Sequence, residues 1–275
     1  MYIGQLNKRQ EFVDAIKSHN ISKIRILLKN GMNPNIRMDE SQFEITDFKT
    51  WSSFFHPLPK NSLPTALEWL LDEESPSSET IVLLINSGAD VKVENSKGES
   101  LLDSAVKHGN PETASFYNVL NTLLIHGCNS RKESGSDYIL SVGVEWNDPK
   151  IVEIAMINGA NADNAHELSI ACDIGLPDVV SVILKYHANP NQVNKAGNPP
   201  IFTSIRAVYD DERTYGKNTK EIKLTIVSAL LQAGADINYK DPKGRTAIDE
   251  AVRKKMFFLL PILREYKRKR DQYSH

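Results

Sequence analysis

The chain has 275 residues, with 33 Lys and Arg against 35 Asp and Glu, a formal net charge of −2 and an apolar fraction of 40%. The near-neutral balance excludes a polyanion binder driven by bulk charge, and the composition excludes a disordered or fibrous chain. Two isolated cysteines, Cys128 and Cys172, give neither a disulfide framework nor a CxxC pair, so a reducing compartment is expected.

In chain order, the N-terminal MYIGQLNKRQEF carries no apolar stretch of signal-peptide length. The most apolar runs, Ile81–Ile85 and Phe257–Leu263, fall far short of the roughly 20 residues a membrane helix needs. A soluble, cytoplasmic chain with no membrane partner is therefore expected. Ala15 to Gly31 reads as a regular helix pair that closes on Gly31-Met32-Asn33-Pro34-Asn35. Next comes 37–62, which holds Phe43, Phe48, Trp51, Phe54 and Phe55 in one short window. Beyond it, Leu63-Pro64-Thr65-Ala66-Leu67 matches Gly244-Arg245-Thr246-Ala247-Ile248 near the other end of the chain.

That match is part of an internal repeat. LLINSGADVKVENSKGESLLDSAV from Leu83, LKYHANPNQVNKAGNPPIFTSI from Leu184 and LLQAGADINYKDPKGRTAIDEAV from Leu230 align without adjustment. A Gly ends one apolar run and another Gly follows ten residues on, at Gly88 and Gly98 and at Gly234 and Gly244. In the second segment His187 stands in the first Gly position. Each unit predicts a helix, a Gly that ends it in a left-handed conformation, a polar turn or hairpin, and a second helix starting near Ser100 or Thr246.

These motifs resemble the ankyrin repeat, a unit of about 33 residues made of a hairpin and two helices. The family pattern GADxN…GxTPLHxAA is carried by Gly234-Ala235-Asp236-Ile237-Asn238 with Gly244-Arg245-Thr246-Ala247-Ile248-Asp249-Glu250-Ala251-Val252, and by Gly88-Ala89-Asp90 with Gly98-Glu99-Ser100-Leu101-Leu102. Weaker copies begin at Gly31, Gly127 and Gly159, and no copy keeps the whole TPLH tetrad. The resemblance implies an all-α ankyrin-repeat solenoid of about seven helix-turn-helix units. They form a single domain over 1–275, with repeats at about 8–31, 63–88, 98–127, 137–159, 165–187, 197–234 and 244–270.

The spacing departs from the family in three places. About 22 residues are inserted in the first hairpin arm, over 37–62. About 6 and 14 extra residues lie in two helical arms, the second as a polar insertion over 209–220. The hairpin after Gly159 is cut short. The aromatic insertion has two readings: its rings pack on the flank of the repeats, or they anchor a partner.

No phosphate loop, HExxH, GxSxG elbow or zinc-spaced Cys/His cluster is present, so the sequence predicts no catalytic residue, cofactor or metal. Cys128 and Cys172 occupy positions expected to be small and buried. The resemblance implies a non-enzymatic module that holds another protein on a concave face, through hairpin tips and the ends of the inner helices. Carried over by position, and joined by the aromatic insertion, the candidate partner-binding residues are Trp51, Phe54, Phe55, Tyr138, Trp146, Asp173, Arg206, Arg245, Arg253 and Lys254. Tyr138 and Arg245 are assigned to hairpin positions, while Trp146 is a large ring where the family exposes a side chain.

A secreted effector acting on a host protein in the host cytosol is one form of this function, and an immunity or inhibitor protein masking an enzyme's active site is another. A different class is an enzyme with its site in 37–62, built on Asp47 and His56; it lacks an orienting third group. A monomer is expected, and a nucleic-acid partner is not. Charge is uneven: Glu68, Asp72, Glu73, Glu74 and Glu79 cluster early, and Lys267-Arg268-Lys269-Arg270 closes a cationic end that could also serve nuclear entry.

Overall fold

The computed structural model describes residues 2–38, 64–73, 77–95, 98–130, 134–163, 165–208 and 219–273. Two compact units are present, Met1–Gly135 and Ser136–His275. Among the described residues there are fourteen α-helices, and extended backbone is limited to two isolated bridges, Arg37 with Thr65 and Glu94 with Ser100.

The first unit holds three helix pairs: α1 (Tyr2–Lys17) with α2 (Ile21–Lys29), α3 (Ala66–Leu71) with α4 (Ser78–Asn86), and α5 (Leu101–His108) with α6 (Ala114–Ile125). Asn20 caps α2 by accepting the Lys23 N–H, and the helix buries Ile24 and Leu27 one turn apart. Outer helices α2, α4 and α6 pack on one another in order, and inner helix α3 packs on α5. Phe12, Ile16, Ile24, Leu67, Leu70, Ile81, Leu84, Leu102 and Leu120 fill the space between the two rows. Helix α6 has 12 residues where α2 and α4 have 9, so part of the extra length in that repeat is absorbed as helix.

The second unit repeats the plan with α7 (Gly135–Glu145), which begins at the unit boundary, and α8 (Pro149–Ile157). It continues with α9 (Ala165–Ile174) and α10 (Pro177–Lys185), then α11 (Pro200–Arg206) and α12 (Thr219–Gln232). The last pair is α13 (Ala247–Arg253) and α14 (Leu260–Tyr273), joined through a 3₁₀ turn at Phe257–Leu259. Outer helices α8, α10 and α12 stack in order, as do inner helices α9, α11 and α13. The predicted helix starts at Ser100 and Thr246 are both capping boxes, in which the hydroxyl accepts an N–H of the first turn while Asp103 or Asp249 bonds back to the cap.

Each helix pair must reach its hairpin through a left-handed turn. Gly88 supplies it at φ +91°, and His187, standing where the other repeats have Gly, is forced to φ +64°. The hairpins close on themselves: the Asn95, Asn194 and Asp241 N–H groups donate to the carbonyls of Glu99, Asn198 and Arg245. The first hairpin closes the same way despite its insertion, with Met38 N–H on the Pro64 carbonyl at 2.8 Å and Ala66 N–H on the Ile36 carbonyl at 3.0 Å. The inserted segment therefore leaves and rejoins at one point, and the hairpin base is kept.

Side chains, not a sheet, tie one hairpin to the next. At the first position of the Asx-x-Asn pattern, the Asn33, Asp90, Asn161, Asn189 and Asp236 side chains each accept the N–H two residues on. At the third position the side chain reaches the following repeat. Asn35 Oδ1 accepts the Asp90 N–H at 2.6 Å while its amide donates to the Gly88 carbonyl at 3.2 Å. Asn191 does the same to Asp236 (2.6 Å) and Gly234 (3.1 Å). Asp163, with no amide to donate, makes only the acceptor half, on Asn189 N–H at 3.0 Å. Lys92 stands at this position in the second repeat and has no acceptor to offer.

Asn191→Ala should lower stability by about 1–2 kcal/mol, because two linking hydrogen bonds go at once. Asn191→Asp keeps the acceptor half, as Asp163 does, and should cost less than half as much. Urea unfolding of the two variants measures this, and equal losses would contradict the linking role.

Lysine 223 lies on the apolar stripe of α12 and is 1% exposed. Its Nζ donates to the carbonyls of Ser204 at 2.6 Å and Ala207 at 2.8 Å, which caps the C-terminal end of the short helix α11. Burial pushes its pKa down to about 8; Lys254 pushes the same way and Asp173 opposes. A depressed folded pKa means that the unfolded chain binds more protons between about pH 8 and pH 10.5, so the contribution of Lys223 to stability grows as pH rises through that window. The stability difference between the wild-type chain and Lys223→Met should therefore widen in favour of the wild type from pH 8 to pH 10, read by urea unfolding at each pH. A difference that stays flat or shrinks would contradict the assignment.

Candidate functional site

The candidate residues at the ends of the inner helices divide by what surrounds them. Trp51, Phe54 and Phe55, with Asp47, His56 and most of 209–220, lie outside the described residues. Tyr138 is not at a hairpin position: it lies in α7, which begins at Gly135. The helix starts early there because Gly135 seats directly on the Cys128 carbonyl, where any Cβ would collide, and its N–H is taken by Asn129 Oδ1 at 3.0 Å. Trp146 directly follows α7, with its N–H on the Val142 carbonyl, and is 36% exposed. Asp173 is exposed on α9, and Lys254 is exposed as the C-cap of α13.

Arg206, Arg245 and Arg253 are brought together. They converge on Asp241 and Glu250, whose side chains are 2% and 0% exposed. Arg206, the last residue of α11, reaches Asp241 Oδ2 with Nη2 (2.6 Å), Glu250 Oε1 with Nε (2.9 Å) and Asn198 Oδ1 with Nη1 (2.6 Å). Its guanidinium also lies 5.1 Å from the centre of the Phe202 ring. Arg245 donates to Asp241 Oδ2 through Nε and Nη2, and its Nη1 is 3.4 Å from Glu250 Oε2. Arg253 meets Glu250 side-on, with Nε on Oε2 at 3.0 Å and Nη2 on Oε1 at 2.6 Å. Asp241 Oδ1 meanwhile accepts the Lys243 and Arg245 N–H groups that shape the hairpin.

The carboxylates are held strongly acidic. Hydrogen bonds from Arg245 hold Asp241 well below the usual range, and the Arg253 and Arg206 guanidiniums bring Glu250 down to about 2 despite its burial. The sequence signal for this network is a like-charge pair. Position 99 pairs with 107 in the first unit, Glu99 with Lys107 at 3.0 Å, and 198 pairs with 206 in the second, Asn198 with Arg206. At the same spacing the last repeat has Arg245 and Arg253, which cannot pair without the buried acids beneath them.

The early acidic cluster is largely engaged within the fold. Glu68 is buried and completes the cap of α3, while Glu73 lies 3.4 Å from His19 and Asp72 lies 3.8 Å from His108. Cys128 and Cys172 are both buried and unbridged, and burial pushes the Cys128 thiol up to about 11. Among the described residues no group of three or more His, Cys, Asp or Glu could hold a metal ion, and no helix is long and apolar enough to cross a membrane.

Paired helices stacked in inner and outer rows, with Asx-linked hairpins, define the ankyrin-repeat fold. A solved ankyrin-repeat domain from Acinetobacter baumannii has the same fold, with a TM-score of 0.52 and 19% identity over 69% of this chain and 92% of that one. A curated relative, the phosphocholine transferase AnkX of Legionella pneumophila, is 24% identical over 212 residues, which is 74% of this chain. The chain spans 22% of that protein's length. No family model matches the sequence.

Acid should weaken the three-arginine network in a defined window. Because the folded pKa of Glu250 is depressed, its contribution is present above its unfolded value near 4.5 and is lost as pH falls towards about 2. Glu250→Gln near pH 7 should cost about 3 kcal/mol, the lower end of the range for breaking a buried pair, because its arginine partners keep a quarter to a half of their side-chain surface in solvent. The variant should also lose less stability than the wild type between pH 4.5 and pH 2.5, measured by urea unfolding. Parallel acid profiles for the two chains would contradict the assignment.

Proposed function

We propose that the protein is a non-enzymatic interaction module that holds a partner protein on the residues at the ends of its inner helices. The fold supports an interaction role in general. The observation that carries the finer reading is the set of exposed, chemically distinct side chains at three inner-helix ends of the second unit: Trp146 after α7, Asp173 on α9, and Arg253 with Lys254 at the end of α13. Trp146 keeps 36% of its surface in solvent at a helix end, and aromatic and arginine side chains are the usual anchors of protein interfaces.

The part-length similarity to a Legionella pneumophila protein supports a secreted effector acting on a host protein, with the host cytosol as its place of action. In this reading the module acts by occupancy, by masking or scaffolding its partner, with Trp51, Phe54 and Phe55 of the insertion proposed as further contacts.

Capture of partners by the immobilised intact chain, followed by titration of the identified partner, tests this. Trp146→Ala should weaken binding at least about tenfold, the size expected of an interface anchor, measured where the unfolding curve shows the variant to be fully folded. Unchanged affinity after Trp146→Ala, Lys254→Ala and removal of 39–60 together would show that the surface is misassigned.

A further inference from the structure

The arginine network is asymmetric in a way that identifies what it can receive. Three guanidiniums share two carboxylates, so the cluster keeps a surplus cation after every internal pair is made. Arg206 and Arg245 are mostly covered, with side chains 24% and 26% exposed, and each touches both acids. Arg253 is different: its side chain is 49% exposed and it uses only the Nε–Nη2 side of its planar group, on Glu250. The Nη1–Nη2 edge is turned away from that carboxylate, and among the described residues it has no other polar contact. A guanidinium can take one carboxylate side-on and a second end-on, because its five N–H groups lie in one plane.

The side-on pair also fixes the group. A surface arginine loses side-chain freedom when it binds, whereas Arg253 is already ordered by an acid that is itself fully buried and held by two other arginines. Lys254 follows directly as the exposed C-cap of the same helix, and Lys243 is exposed in the neighbouring hairpin. The nearby exposed acid, Asp249, is already engaged as the capping partner of Thr246.

We infer that the free edge of Arg253, with Lys254 beside it, docks a carboxylate on an acidic segment of the partner protein. This rests on the partner-binding reading above and names the chemistry of one end of that surface. A planar fork matches a carboxylate in two hydrogen bonds, and the fixed surplus charge complements an acidic sequence.

Titration of the intact chain with a hexaglutamate peptide, and with hexaglutamine as its neutral counterpart, tests the inference. Hexaglutamate should bind at low salt and hexaglutamine should not, and binding should weaken as salt is raised. Arg253→Gln and Lys254→Gln should each weaken binding about tenfold, as loss of one charge-assisted contact does. Arg264→Gln with Lys267→Gln, which removes two cations from α14, should leave it unchanged. Lys254 takes no part in the buried network, so its variant remains informative if Arg253→Gln destabilises the chain.

Equal losses from the α14 variant would show diffuse attraction and overturn the inference. So would binding to vesicles of phosphatidylcholine and phosphatidylserine with none to hexaglutamate. A partner released by Trp146→Ala but not by Arg253→Gln would also overturn it while leaving the wider partner-binding reading intact. The stated peptide pattern supports the docking edge even if the capture experiment returns no partner.

Discussion

An asparagine or aspartate side chain that leaves its own hairpin to bond the backbone of the next is the contact on which the register of this fold depends. Helix pairs stacked in rows have no sheet to set how one repeat meets its neighbour, and the hydrophobic effect that holds them is non-directional where hydrogen bonds are not. The Asn35, Asp163 and Asn191 side chains supply that direction with bonds of 2.6 to 3.2 Å to defined backbone atoms one repeat away. Asp137, reaching Asn161 N–H from α7 at 2.7 Å, does the same work from a helix where no hairpin residue supplies it. Each bond is small, but together they decide which residues stand side by side at the inner-helix ends.

The functional surface follows from that register. With α11, α13 and the hairpin between them fixed, Arg206, Arg245 and Arg253 arrive around the same two acids, and the repulsion between like charges is met by carboxylates that water scarcely reaches. Arg206 and Arg245 are spent on holding the repeats together. Arg253, more exposed and bonded along one side only, is held in place while keeping an edge to offer. A residue's position at an inner-helix end therefore does not by itself make it a binding residue; what matters is how much of its hydrogen-bonding capacity the fold has already used.

Much of the fold was legible in the sequence because its strongest signals are backbone signals. Glycine where φ must be positive, the polar stretch that follows it and a Thr or Ser before the next apolar run report local geometry, and they located the hairpins and the helix starts. Helix boundaries after the unusual spacings were less visible. The early start of α7, which takes Tyr138 out of the hairpin, depends on Gly135 fitting against the Cys128 carbonyl, a contact that no local pattern reports.

The site was only half legible. Position along the repeat picked out Arg206, Arg245 and Arg253, but the acids that organise them were missed, since Glu250 and Asp241 read as ordinary surface residues of a helix and a turn. Lys223 was missed for a related reason: a single lysine on an apolar stripe is outvoted by its neighbours, although that mismatch marks it as a buried cap.

Amide hydrogen exchange at Asp90, Asn161, Asn189 and Asp236 tests the central claim most directly. Asp90, Asn161 and Asn189 are exposed residues in polar turns, and at all four positions the partner of the N–H is a side-chain oxygen from the preceding repeat or helix. If side-chain links hold the register, these four amides exchange far more slowly than those of exposed turn residues without such a partner, and Asn191→Ala abolishes the protection at Asp236 alone. Exchange at the rate of an unstructured peptide at all four would mean that the links do not persist in solution, and that packing alone sets how the repeats meet.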